Sequence, residues 1–375
     1  MRLTKGGAKL LKIIKKHSKL VLLLSFILLV TLSFTSCDNG SSIVDEIEDE
    51  PEVVEFEDSN LEEVIRNKIN KPEGNIYLSD VIFIESLHAR AKEIESIEGL
   101  QHLENLRVLG IQSFYADEGT NHIVDISPIS ELKKLEWLRF DDNEVQDISA
   151  LSNLYNLEIL WFNSNNVRDI SPLSKLSNLI SLGFGGNKVD DISALSKLSN
   201  LESIVMDSNE LNDIEPISNL TKLSNLTFPN NEIFDITPLS NLTKLERLVF
   251  RKNEVSDISP LSNLIEIEHL SFGGNRVRDI SFLTNLNKLK FLNISHNQID
   301  DISALSNLTK METLWFNSNE VSDIKPLVEN DGFGEGDEIN MMNNYLDLTE
   351  GSEDMDNIIT LRDDRNVDVE YKPQK

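Results

Sequence analysis

The chain is poor in the residues that most often do chemistry. It has one cysteine in 375 residues, so no intrachain disulfide can form and stability must rest on packing. Six histidines beside that cysteine leave little material for a Cys/His metal site, and no metal or cofactor is expected. Bases are scarce where nucleic acid would need them. Seven of the 35 lie in the first 19 residues, and from residue 37 onward 28 bases face 64 acids. A chain of that sign is repelled by phosphate backbones, which argues against a nucleic-acid partner. There is no apolar run of membrane-spanning length: residues 20–34 carry no charge, but that is fifteen residues where a spanning helix needs roughly 18–20.

That run has another use. It follows Arg2, Lys5, Lys9, Lys12, Lys15, Lys16 and Lys19, as the apolar core of a secretory signal follows its basic start. It ends in Phe34-Thr35-Ser36-Cys37, and small residues before a cysteine resemble a bacterial lipobox. The resemblance implies cleavage at residue 36, a lipid on Cys37, and a membrane anchor on the extracellular side. The simpler alternative is an ordinary signal peptide with an incidental cysteine. Residues 37–58 hold ten acids and no base, and are expected to form an extended, disordered tether.

Beyond it the chain repeats. Asn143, Asn165, Asn187, Asn209, Asn231, Asn253, Asn275, Asn297 and Asn319 are each 22 residues apart. Five residues before them runs a column from Leu138 to Leu314, and three before them a column from Phe140 to Phe316. Four after them runs a column of Asp, from Asp147 to Asp323, each followed by Ile. One unit, residues 169–190, reads DISPLSKLSNLISLGFGGNKVD. This pattern resembles the 22-residue leucine-rich repeats of internalins. The resemblance implies an α/β solenoid: a horseshoe with a concave parallel β-sheet and convex 3-10 or turn segments.

Each column has a physical reason. In a strand such as Ser181-Leu182-Gly183-Phe184-Gly185, alternation sends Leu182 and Phe184 inward and the other three outward. A buried Asn offers donor and acceptor groups to turn backbone that would otherwise be unpaired. A short Asp side chain suits the start of a 3-10 turn; calcium binding is the less favoured alternative, since one carboxylate per coil is not an oxygen cluster. Exposed neighbours of the ladder, such as Asn230, are expected to be freely replaceable.

The repeats extend over residues 87–346. In the first coil Lys92 replaces the Asn, and in the second an insertion delays the turn to Asn121, placing Phe114, Tyr115, Asp117 and Glu118 on a loop. End coils would expose core and need covers. Residues 59–86 are expected to form a helical N-terminal cap, and residues 347–375 a C-terminal cap with a helix at 352–365 and a closing strand at Val367, Val369 and Tyr371. Many internalins continue into an immunoglobulin-like domain and a wall-anchoring signal. Neither follows here, so the N-terminal lipid is the expected anchor.

Function is sought on the outward strand positions, six, four and two before each ladder Asn. Thirty such slots, in the ten coils ending at Asn143 through Asn344, hold three acids (Asp141, Asp207, Glu338) and three bases (Arg139, Arg247, Arg251). All three tryptophans, Trp137, Trp161 and Trp315, fall among them. Exposed aromatics on a rigid face suit binding, although Trp also favours strands generally. Two patches are expected: Trp137, Ile159 and Trp161 with Arg139, and Arg247, Arg251, Lys252 and His269 with Phe291. Between them Ser181, Gly183, Gly185 and Gly186 should leave a bare surface open to a partner's backbone. No catalytic constellation emerges, and the expected activity is not enzymatic. The expectation is a lipid-anchored, monomeric surface protein that binds a protein ligand. The alternative is a polysaccharide binder using the Trp faces with Asn163, Asn293, Asn317 and Asn340.

Overall fold

The structure, a computed structural model, describes residues 51–113 and 119–375. The signal segment, Cys37, most of the acidic tether and the four loop residues named above lie outside the described residues.

Among the described residues thirteen short strands form one parallel sheet in chain order. They are β1 (Ser86–His88), β2 (Val108–Gly110), β3 (Trp137–Arg139), β4 (Ile159–Trp161), β5 (Ser181–Gly183), β6 (Ser203–Val205) and β7 (Asn225–Thr227), followed by β8 (Arg247–Val249), β9 (His269–Ser271), β10 (Phe291–Asn293), β11 (Thr313–Trp315), β12 (Glu338–Asn340) and β13 (Asp368–Glu370). The register follows the repeat, so that Trp137 pairs with Ile159 and Ile159 with Ser181. Short 3-10 turns, such as Ser171–Lys175 and Ser193–Lys197, return the chain on the convex side. This is the leucine-rich-repeat solenoid that the columns imply.

The interior explains the columns. Leu138, Leu160, Leu182 and their successors are fully buried. Phe140 stacks on Phe162 at 5.5 Å and Phe162 on Phe184 at 6.0 Å; after Met206, Phe228, Phe250 and Phe272 stack in the same way. The Asn ladder knits coils together. The Asn165 Nδ2 donates to the Phe140 and Phe162 carbonyls at 3.1 Å, and its Oδ1 accepts from the Val145 N–H at 3.0 Å. Asp169 Oδ1 accepts from the Ser171 N–H at 2.7 Å, so the Asp column caps turns as expected. The residue before each ladder Asn is left-handed in this part of the array: φ is 53° at Ser164, 65° at Gly186 and 54° at Asn230. Asn230 is therefore not freely replaceable, because a left-handed position disfavours most side chains despite its exposure.

The N-terminal cap starts earlier than the sequence suggests. Val54 and Phe56 are buried, and the Val54 N–H donates to the Ile76 carbonyl at 2.8 Å. Asp58 caps α1 (Ser59–Ile69): its Oδ1 accepts from the Asn60 and Leu61 N–H groups, and its Oδ2 from the Glu95 N–H of the first coil. Residues 52–58 thus pack on the fold and are no tether; their acids alternate with apolar side chains that find the core. A short α2 (Leu78–Val81) leads into β1. At the other end, α3 (Lys325–Glu329) replaces a 3-10 turn, α4 (Glu353–Ile359) covers the last coil, and β13 pairs in parallel with β12.

Candidate concave binding face

The outward slots of the sheet carry two clusters. The first spans β1 to β5. Arg139 forms an ion pair with Asp141, which is almost wholly buried, and lies 5.4 Å from the Trp161 ring centroid as a cation–π contact. Asp141 Oδ1 also accepts from the Asn163 N–H at 2.9 Å and from its side-chain amide. Trp161 Nε1 donates to Ser181 Oγ at 3.1 Å. A Cβ built on Gly183 would fall 2.9 Å from the Trp161 ring, so that ring lies flat over β5. Trp137 leans the other way. Its ring lies over Gly110 of β2 and meets His88 edge-on at 5.9 Å.

The expected bare surface is therefore absent. Gly183 is covered by Trp161, and a Cβ on Gly185 would stand 2.4 Å from an Asp207 carboxylate oxygen. Both glycines are buried. Their purpose is local: they let large neighbours lie down on the sheet, and no room is left there for a partner's backbone. His88 belongs to the cluster, although the repeat columns do not mark it. It follows Leu87 in an outward slot of the first coil, where Lys92 stands in place of the ladder Asn. Beside it Gln112 is fully buried, with no hydrogen-bond partner for its amide among the described residues.

The second cluster spans β8 to β12. His269 and Phe291 stack at 4.1 Å with planes 4° apart, and Phe291 meets Trp315 edge-on at 5.4 Å. Trp315 Nε1 donates to Glu338 Oε1 at 2.9 Å. Trp315, which the sequence left outside either patch, completes this aromatic row. Arg247 and Arg251 stand beside it on β8 and just beyond it, both exposed, with no ion pair among the described residues. Partial burial, and then the charge of Arg251, lower the Arg247 pKa. Burial, then Arg247 and Arg251, hold the His269 imidazole down to about 4, so it is neutral near pH 7.

Three of the four amides offered to a sugar are engaged within the protein. Asn163 bonds Asp141 and the Gly185 N–H, Asn293 is buried and bonds Ser295, and Asn340 donates to Glu370. Two depressions, of about 510 and 230 Å³, lie between convex turns and not among these aromatics. No group of three or more metal-ligating side chains is present among the described residues.

Residues 84–362 match the family model described as a leucine-rich repeat region. An internalin from Listeria monocytogenes, InlF, superimposes with a TM-score of 0.72 at 30% identity, covering 88% of this chain and 99% of its own. Internalin C2 of the same organism gives 0.51 at 28% identity, covering 64% and 94%. A leucine-rich-repeat protein of Leptospira interrogans gives 0.54 at 17% identity, over 73% and 81%, and shares the fold. No match is found among proteins of curated function. With its repeat columns, stacked sheet and these similarities, the chain belongs to the internalin-like leucine-rich-repeat proteins.

Proposed function

We propose that the protein is held at the outer face of a bacterial membrane by a lipid on Cys37 and binds another protein through its concave face. The observation that carries the binding reading is the pair of preorganised aromatic clusters on an otherwise nearly neutral sheet, in a chain of net charge −29. Side chains already locked by stacking and hydrogen bonds lose little entropy when a partner arrives. The internalin-like fold favours an interaction module in the same way. Polysaccharide capture is the weaker reading, because sugar recognition needs free amides beside exposed ring faces. Here three of the four amides are engaged and Trp161 has one face against Gly183.

Crosslinking capture with residues 38–375 identifies the partner, and affinity and melting temperature are then measured together for Trp137→Ala and Arg251→Ala. Loss of affinity of about thirtyfold, or 2 kcal/mol, without loss of stability is expected for Arg251. Full affinity in both variants moves the site elsewhere. For the anchor, Cys37→Ala is expected to abolish lipid labelling and membrane retention; unchanged retention with normal processing excludes Cys37 as the attachment point.

A further inference from the structure

The second cluster has a polarity across the strands. Its β8 side carries two exposed guanidinium groups with no ion pair among the described residues, its middle is an aromatic shelf of three side chains, and its far side is the Glu338 carboxylate on β12. Neighbouring strands lie about 4.8 Å apart, so four steps from β8 to β12 span roughly 19 Å. An extended peptide advances about 3.3 Å per residue and covers that distance in about six residues.

We infer that this strip takes an extended segment of the partner protein, crossing the strands, with a carboxylate side chain at Arg247 and Arg251, apolar side chains on His269, Phe291 and Trp315, and a basic side chain about six residues away at Glu338. This rests on the concave face being the binding face, and it adds what that face selects. A guanidinium with no ion pair among the described residues is open to a carboxylate at no cost of breaking such a pair, unlike Arg139, which Asp141 already holds. His269 is neutral near pH 7, so its stack with Phe291 offers an uncharged shelf beside the arginines. Trp315 leans on Glu338 through its indole N–H, which fixes that carboxylate at the end of the shelf while its second oxygen remains for a cation. A polyanionic partner does not fit, because the chain as a whole is strongly negative and only one end of the strip is basic.

The test uses full-length protein in detergent and four dye-labelled heptapeptides, read by fluorescence anisotropy. All four share two central apolar residues. One has Asp first and Lys last, one Asp and Gln, one Asn and Lys, and one Asn and Gln. Binding is expected to be tightest for Asp with Lys and weakest for Asn with Gln. Arg251→Ala should erase the preference for Asp over Asn, on the order of tenfold, and leave the preference for Lys. Glu338→Gln, which keeps an acceptor for Trp315, should do the reverse. Four peptides bound alike, or an Arg251→Ala that removes the Lys preference instead, overturns the inference. So does stronger Arg251-dependent binding of polygalacturonate than of any peptide. If Trp137→Ala weakens the captured partner while the peptides show no charge preference, the concave reading stands and this inference falls. If no concave substitution affects either ligand, both fall.

Discussion

At β3 and β4 an arginine, an acid and two tryptophans are fastened into the sheet; from β8 to β12 a histidine and two aromatics are fastened to one another and to Glu338, while two arginines beside them have no ion pair among the described residues. The difference lies in where the acid sits. Asp141 is within reach of Arg139 and accepts from Asn163, so the first cluster is closed on itself. Arg247 on β8 and Arg251 just beyond it have Val249 in the outward slot between them and no such acid, and their charges press on each other and on His269. Similar residue types therefore make a structural brace in one place and an unsatisfied surface in the other. A closed cluster contributes shape and stability. An open one contributes selectivity, because its charges still need partners.

The sharpest way to break this comparison is to remove the acid. In Asp141→Ala the Arg139 guanidinium and the Asn163 amide lose their partner in a nearly buried site, and stability should fall by about 3 kcal/mol in a denaturant titration. Arg251→Ala, by contrast, should stay within about 0.5 kcal/mol of the parent, since it leaves no buried group unpaired. Equal losses would mean that the β8 arginines serve the fold after all.

A smaller effect is expected at the floor of the first cluster. Gly183→Val sets a Cβ 2.9 Å from the Trp161 ring and forces the indole off the sheet. Overpacking of this kind costs about 1–3 kcal/mol, and Trp161 emission should shift to the red as the ring meets water. Thr227→Val, in the same outward slot on β7, should change neither stability nor emission. If Gly183→Val is equally silent, the glycine is a neutral surface residue and the brace does not depend on it.

How much of this was legible beforehand follows from which residues obey the repeat. The Leu, Phe, Asn and Asp columns recur nine times, and each has one physical job per coil, so spacing alone located β3 to β11 and the ladder. Outward slots have no period. There the sequence placed Trp137, Trp161, Arg247 and His269 on one face, but it could not say which way each ring leans. That depends on the neighbouring coil: Trp161 lies over β5 because Gly183 has no side chain, and Trp315 is held between Phe291 of the coil before it and Glu338 of the coil after it. The caps were harder for a similar reason. Residues 52–58 look like spacer by charge, yet Val54 and Phe56 are buried and Asp58 caps a helix. Composition counts charges and does not see which apolar residues among them find a core.

The least of the expected effects concerns protons. His269 has an ordinary pKa of about 6.5 when unfolded and one near 4 in the fold, from burial first and then from Arg247 and Arg251. As pH falls below about 6.5 the unfolded chain takes up a proton that the folded chain refuses, so this residue subtracts stability between roughly pH 6.5 and 4. Below the folded value both states are protonated and the loss stops growing. His269→Asn should therefore lose less stability than the parent on going from pH 7 to 4.5, by on the order of 1 kcal/mol at a partly solvated face. Arg251→Ala should move the His269 pKa up toward its ordinary value by removing one of the two repelling charges. His88, in the closed cluster, is held down by burial and by Arg90 and Lys68, so its titration should not respond. Imidazole signals followed by NMR across that range separate the two residues. An Arg251→Ala protein in which both histidines shift would show that the charges couple across the face and that the two clusters are one site; one in which His269 does not shift would show that Arg251 does not hold it down.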